Sequence, residues 1–308
     1  MQGQTGNYVL TTMVTPPTSS ALTTLANVKD DLGLTSETDQ DTRLTRYINE
    51  ESANIARHCN RVFGRATWQD VFRPQHGVWG EGVRAAVNPL KLSRWPLVAA
   101  IATFTGTTVA GNVVVTGVAN AQSLTQGQLV SGPGIAAGTT ISIVGATQIW
   151  LSAAPSATAT AVPLSAGISV VETVAGVDTG LTAGTDFEVE LGSSLPGDEG
   201  PACLYRLNQQ GNPRTWPAAK VTVVYQAGYA LPNDSNPNFP MDLQSVCIRI
   251  VVARFKAKDR DPTLVERVQP NVGSERWWVG AAPGQSGPYP NELMATLDRY
   301  RTPVTASA

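Results

Sequence analysis

The chain has 308 residues, 42% of them hydrophobic, enough to bury a sizeable core in one large or two smaller domains. Charged residues make up only 15%, against a usual value of about 25%, and the net charge of −2 argues against binding nucleic acid through bulk positive charge. Three cysteines (Cys59, Cys203, Cys247) are too few for a disulfide framework and fit a reducing cytosol; no apolar run approaches the ~20 residues of a membrane span, and Met1 to Ser20 lacks the basic start and apolar core of a signal peptide.

The first periodic segment is Leu22, Leu25, Val28 and Leu32, one helix face, with Thr23 or Thr24 as cap and Gly33 as stop. A longer helix is predicted from about Asp39 to Phe63. Its stripe is Leu44, Ile48, Ile55, Cys59 and Val62, capped by Thr38 or Asp39 and ended by Gly64. Strand-like pieces follow around Thr67 to Arg73 and Leu90 to Ser93. From Trp95 to Val171 there is then no Asp, Glu, Lys, Arg or His. Such a break in composition predicts an extra module that begins after Pro96 and ends before Glu172, rich in β-branched residues between Gly-rich turns such as Ser131 to Gly138. Its charge-free edges lack electrostatic protection, so they must be covered or short. The charge-free stretch sets the module apart from the rest of the chain, and it is expected to be autonomous. Strand-like runs resume at Ile168–Thr173, Phe187–Leu191 and Val221–Tyr225. A third helix starts near Pro240, burying Leu243, Val246, Cys247, Ile250 and Val251. A Pro- and Gly-rich tail from Pro270 ends in a short helical pattern, Leu293 to Tyr300.

The residues for catalysis or metal binding are sparse. Of the two histidines, His58 neighbours Cys59, but adjacent helix positions do not face each other, and His76 has no companion. No phosphate loop or nucleophile elbow is present, and Gly132-Pro133-Gly134 reads as a strand-connecting turn. The alternating signs of Lys256, Lys258, Asp259, Arg260 and Asp261 read as a solvated helix end. No catalytic, cofactor or metal site is therefore expected, and no enzyme.

Five strings in order resemble the head–tail connector (adaptor) family of tailed bacteriophages. The first is Leu22 to Leu32 followed by Asp39 to Arg46 and Ile55 to Gly64, with Arg61-Val62-Phe63 matching the family's R-x-F. The second, Leu90 to Val98, is similar to L-x-L-x-x-x-P-V. The third joins Gly184 to Val189, Leu204 to Leu207 and Trp216-Pro217. The fourth, Val221 to Tyr229, is similar to V-x-V-x-Y-x-A-G-Y, and the fifth runs from Pro240 to Arg260-Asp261-Pro262. The resemblance covers most of the chain outside Thr103–Gly167.

It implies an α+β fold: a helical connector core of about three main helices with a small antiparallel sheet, plus the inserted all-β module. The expected division is a discontinuous core domain over 1–102 and 168–269, the insert over 103–167, and an extended tail over 270–308. The implied function is a virion ring at the head–tail junction, twelvefold, made in the host cytoplasm. It would sit between the portal protein and a neck or tail-completion protein. Genomic DNA would pass through its lumen without sequence-specific binding, and no membrane is involved. A ring of this kind needs two complementary faces per subunit, which the helices at Asp39–Phe63 and Pro240–Asp261 could supply. Trp277, Trp278 and Tyr289 are the candidate partner-docking residues, and Gly228 is a candidate structural turn after its strand. The alternative is a surface decoration or glycan-binding protein using the insert, whose aromatics are Phe104 and Trp150.

Overall fold

The computed structural model describes residues 8–73, 89–98, 101–193, 199–217, 220–257, 266–269, 273–276 and 289–302. They divide into two units, one of Met1–Pro17, Arg65–Leu195 and Glu199–Gly228, the other of Thr18–Gly64, Pro196–Asp198 and Tyr229–Ala308.

In the first unit, β-branched and aromatic residues alternate along several segments, and these pair. Strands β1 (Tyr8–Thr15), β2 (Ala66–Arg73), β10 (Ile168–Val174), β11 (Val177–Leu181) and β15 (Lys220–Ala227) form an antiparallel sheet in the order β1-β2-β15-β10-β11. With period-2 side-chain alternation, one face carries Trp68, Phe72, Val221, Val223, Tyr225, Ile168 and Val170, all buried. A second sheet supplies Leu90, Phe187 and Leu204 to the same core. Its strands are β3 (Leu90–Lys91), β12 (Phe187–Glu190), β13 (Cys203–Leu207) and β14 (Pro213–Arg214).

The charge-free stretch folds as six strands: β4 (Ala102–Val109), β5 (Asn112–Thr116), β6 (Val130–Ser131), β7 (Ile141–Val144), β8 (Gln148–Leu151) and β9 (Ala159–Ala166), ordered β6-β9-β4-β5-β8-β7. The outer two are joined by a bridge between Leu129 and Thr140, with Val130 N–H donating to the Thr139 carbonyl (2.8 Å) and Ile141 N–H to that of Gln128 (2.9 Å). The sheet therefore closes on itself around Val115, Ile141, Ile149, Leu151 and Leu164. Closure pairs the backbone groups an edge would expose, so the strands need no charged guard. The first and last strands start and finish side by side, with Ala102 opposite Ala166.

The second unit holds the helices α1 (Leu25–Leu32), α2 (Asp41–His58), α3 (Met241–Lys256) and α4 (Asn291–Arg299), together with the backbone hairpin β16 (Glu266–Gln269) and β17 (Gly273–Arg276). Thr24 caps α1, its Oγ1 accepting the Asn27 N–H (3.1 Å), and Gly33 ends it at φ +71°. The apolar faces of all four helices meet in one core that includes Leu44, Ile55, Leu243, Val251, Leu293 and Leu297.

The expectation of a helical connector core with a small sheet is corrected. Seventeen strands and four α-helices are present among the described residues, and the protein is mostly β. Pieces read as isolated strands between helices pair with two strands not anticipated, β1 and β11, into a five-stranded sheet. The helix expected to reach Phe63 ends at His58, because Asn60 turns the chain at φ +49°. The apolar stripes of α2 and α3 pack into this helical core, so the sides they leave exposed are mostly polar.

Candidate interaction site

Several polar and aromatic side chains of the strings that resemble the connector family are tied into buried contacts. In the first unit, the carboxylate of Asp70 on β2 is fully buried. Its Oδ2 accepts the Ser93 N–H (2.8 Å) and the Tyr225 hydroxyl (2.8 Å), and that hydroxyl accepts the Arg94 N–H (3.1 Å). Burial, then the negative charge of Asp70, pushes the Tyr225 pKa up, so the phenol stays a donor. The guanidinium of Arg94 lies 4.8 Å from the Trp68 ring centre. Leu90–Val98 is thus pinned to the strand that carries V-x-V-x-Y. At that strand's end Gly228 adopts φ +112° and donates its N–H to the Pro96 carbonyl (3.0 Å). Arg206 is buried between Glu172 (Nη2–Oε2, 3.5 Å) and Asp186 (Nη1–Oδ1, 3.5 Å). Trp216 donates its indole N–H to the Leu204 carbonyl (3.3 Å). In the second unit, the Arg61 guanidinium lies 5.6 Å from the Phe63 ring centre and 5.4 Å from that of Tyr229, while Tyr229 donates its N–H to the Phe63 carbonyl (2.8 Å).

Chemistry is scarce among the described residues. No group of three His, Cys, Asp or Glu side chains gathers there as a metal site. Nε2 of His58 lies 3.1 Å from Oδ1 of Asp298, and Cys59 donates its thiol to the Leu297 carbonyl. Burial pushes the pKa of both Cys59 and Cys247 up to about 12, leaving them protonated and unreactive at neutral pH. Tyr289 is half-buried against the helical core and donates its hydroxyl to Glu51 Oε2 (3.2 Å). Trp277, Trp278, His76 and the Asp259-Arg260-Asp261 cluster lie outside the described residues.

The surfaces suited to partners are ones the sequence reading passed over. Among the described residues β1 is an edge strand, it carries no charge, and Leu10 (53% exposed) and Val14 (54%) project from it. At the tip of the β10–β11 hairpin Val174 (49%) and Val177 (66%) stand opposite each other, flanking the turn at Ala175-Gly176. The first could have been found from the uncharged Tyr8–Thr15 run, the second from a two-residue Gly turn between β-branched residues.

No protein-family model matches the chain, and no curated protein matches it either. Among solved structures, a chain in the virion of a native gene transfer agent particle is 12% identical, covering 97% of this chain and 98% of that one, with a TM-score of 0.36. A chain in the neck of an empty gene transfer agent particle is 13% identical over the same shares, with a TM-score of 0.37. TM-scores this low do not establish a common fold.

Proposed function

We propose that the chain is a structural virion protein that assembles head to tail into a ring between portal and tail. The carrying observation is the pair of dissimilar apolar surfaces on one five-stranded sheet: the uncharged edge β1 with Leu10 and Val14, and the hairpin tip with Val174 and Val177. A heterologous interface needs two different patches per subunit, and repeating it closes a ring when the rotation allows. An open, uncharged, apolar edge strand is one that soluble proteins avoid unless it is to be paired.

The five ordered strings support the specific place in the particle, the neck beneath the portal, with Trp277 and Trp278 as anchors for the portal or the adjacent subunit. The near-neutral chain suits a DNA conduit, since a strongly basic lumen would hold phosphates. Native mass spectrometry and electron microscopy of the purified chain test the assembly. Closed rings of one stoichiometry are expected, twelvefold by the family resemblance, with Leu10→Asp and Val177→Asp each giving folded monomers. A wild-type chain that stays monomeric both alone and with its portal would refute the reading, as would rings unaffected by either variant.

A further inference from the structure

We infer that the outer face of the closed six-stranded sheet carries a binding platform for neutral carbohydrate. Ile149 and Leu151 of β8 point into the barrel and are buried, so Gln148 and Trp150 point outward. Trp150 is half-buried. Its cross-strand partners are Val114 on β5 and Ile143 on β7, the latter 55% exposed, and Gln148 pairs with Thr116. An aromatic ring is therefore flanked by two aliphatic side chains, with an amide and a hydroxyl on the next rung.

The turn beneath is shaped to the ring. A Cβ at Gly145 would come within 3.1 Å of Trp150 Cζ3 and 3.2 Å of Gln148 Cγ, so a glycine there lets both side chains lie over the β7–β8 turn. Among the described residues the Trp150 indole N–H, the Gln148 amide and the Thr116 hydroxyl have no hydrogen-bond partner. Those groups offer both donors and acceptors without charge.

The class of ligand follows from that chemistry. No ionisable side chain lies between Trp95 and Val171, so this stretch offers no ion-pair partner to a charged ligand. The negative face of an indole attracts the weakly positive C–H face of a sugar ring, and the neighbouring amide and hydroxyl match sugar hydroxyls. An apolar peptide would use the stripe but leave those polar groups unmatched, which costs affinity. This inference does not depend on ring assembly.

The test uses the full chain, titrated calorimetrically with a panel of neutral oligosaccharides (maltohexaose, cellohexaose, chitohexaose, mannohexaose) and with polygalacturonate as the charged comparison. Saturable binding of at least one neutral oligosaccharide is expected, weakened about tenfold or more by Trp150→Ala. The surface double variant Gln148→Ala with Thr116→Val guards against a folding defect and should weaken binding with an unchanged melting temperature. No binding of any neutral oligosaccharide up to the solubility of the sugars overturns the inference. So does a preference for polygalacturonate, or binding that survives either variant.

Discussion

Gly180 is where the closed barrel meets the five-stranded sheet, and its substitution tests how far the two depend on each other. A Cβ at this position would land on the carbonyl oxygen of Gly132, with the Ile135 oxygen 3.0 Å away. Both obstacles are backbone, so no side chain can swing aside. Next to them the buried Ser131 hydroxyl donates to the Leu181 carbonyl (2.6 Å) and accepts the Val170 N–H (3.0 Å), while Ser165 Oγ accepts the Ala183 N–H (3.2 Å). Gly180→Ala must either shift the Gly132 loop or open this seam. Overpacking alone costs about 1–3 kcal/mol. If the seam opens, Val170 N–H and the Leu181 carbonyl lose a buried partner, at about 1–3 kcal/mol each. Gly176→Ala in the same hairpin is the control: it has φ +83° and nothing within 4 Å of a new Cβ, so only backbone strain of about 1–2 kcal/mol applies. Urea unfolding of both variants decides. Gly180→Ala should cost more than Gly176→Ala, and faster hydrogen exchange at Val170 should accompany it. A Gly180→Ala variant no less stable than the control would refute the seam as a rigid joint.

Gly228→Val should destabilise by about 1–3 kcal/mol, since φ +112° is strained for any side chain; an unchanged urea midpoint would remove the argument. The thiols of Cys59 and Cys247 have folded pKa values raised by burial from 9.0 to about 12. Their contribution is therefore complete below pH 9 and lost as pH rises toward 12, by about 1.4 kcal/mol per pH unit for each. Melting temperatures from pH 7 to about 10.5 should fall more steeply in wild type than in Cys59→Ala with Cys247→Ala; equal slopes would count against it. Replacing Thr103–Gly167 with a short Gly/Ser linker should leave a cooperative but weakened fold. The ends are adjacent at Ala102 and Ala166, yet the cut removes the Ser131 and Gly138 hydrogen bonds to β10 and uncovers Val224 beside Gly138, a side chain whose exposure costs up to about 1.5–3 kcal/mol. Loss of cooperative unfolding would show that the barrel is indispensable to the sheet.

The helices were legible because their signals are local. Thr24, Gly33 and the Leu22-Leu25-Val28-Leu32 spacing lie within a few residues of the structure they specify. The overlong α2 has a local cause too: Asn60, which takes a left-handed turn without much penalty, was passed over in favour of Gly64. The β architecture was less legible, since pairing joins distant segments. Nothing near Tyr8–Thr15 announces that it will lie beside Ala66–Arg73. Glu172 shows the same limit. In sequence it marks the return of charge after the insert, which suggests surface, yet it is buried against Arg206, a residue more than thirty positions away. Gly228 takes φ +112° after a β-branched run that is plain in the sequence. The uncharged Tyr8–Thr15 run and the Ala175-Gly176 turn are visible there too, but that the first lies at a sheet edge follows only from the strand order.

The two large sheets solve one problem in opposite ways. Both include strands with no charge to discourage pairing with a stranger. In the barrel the exposed backbone is removed by closure through Leu129 and Thr140, so neutrality costs nothing and its outer face can be given to a neutral ligand. In the five-stranded sheet β1 stays at the edge, Tyr8–Thr15 carries no charge, and Leu10 and Val14 face solvent. A monomer would leave the backbone groups on that edge to water and to any passing strand. The same features become useful in an assembly, where the edge is occupied and each subunit presents its unlike patch to the next. The absence of guarding charge at this edge, beside a barrel that needs none, is the physical ground for the proposal that the protein works as one member of a ring.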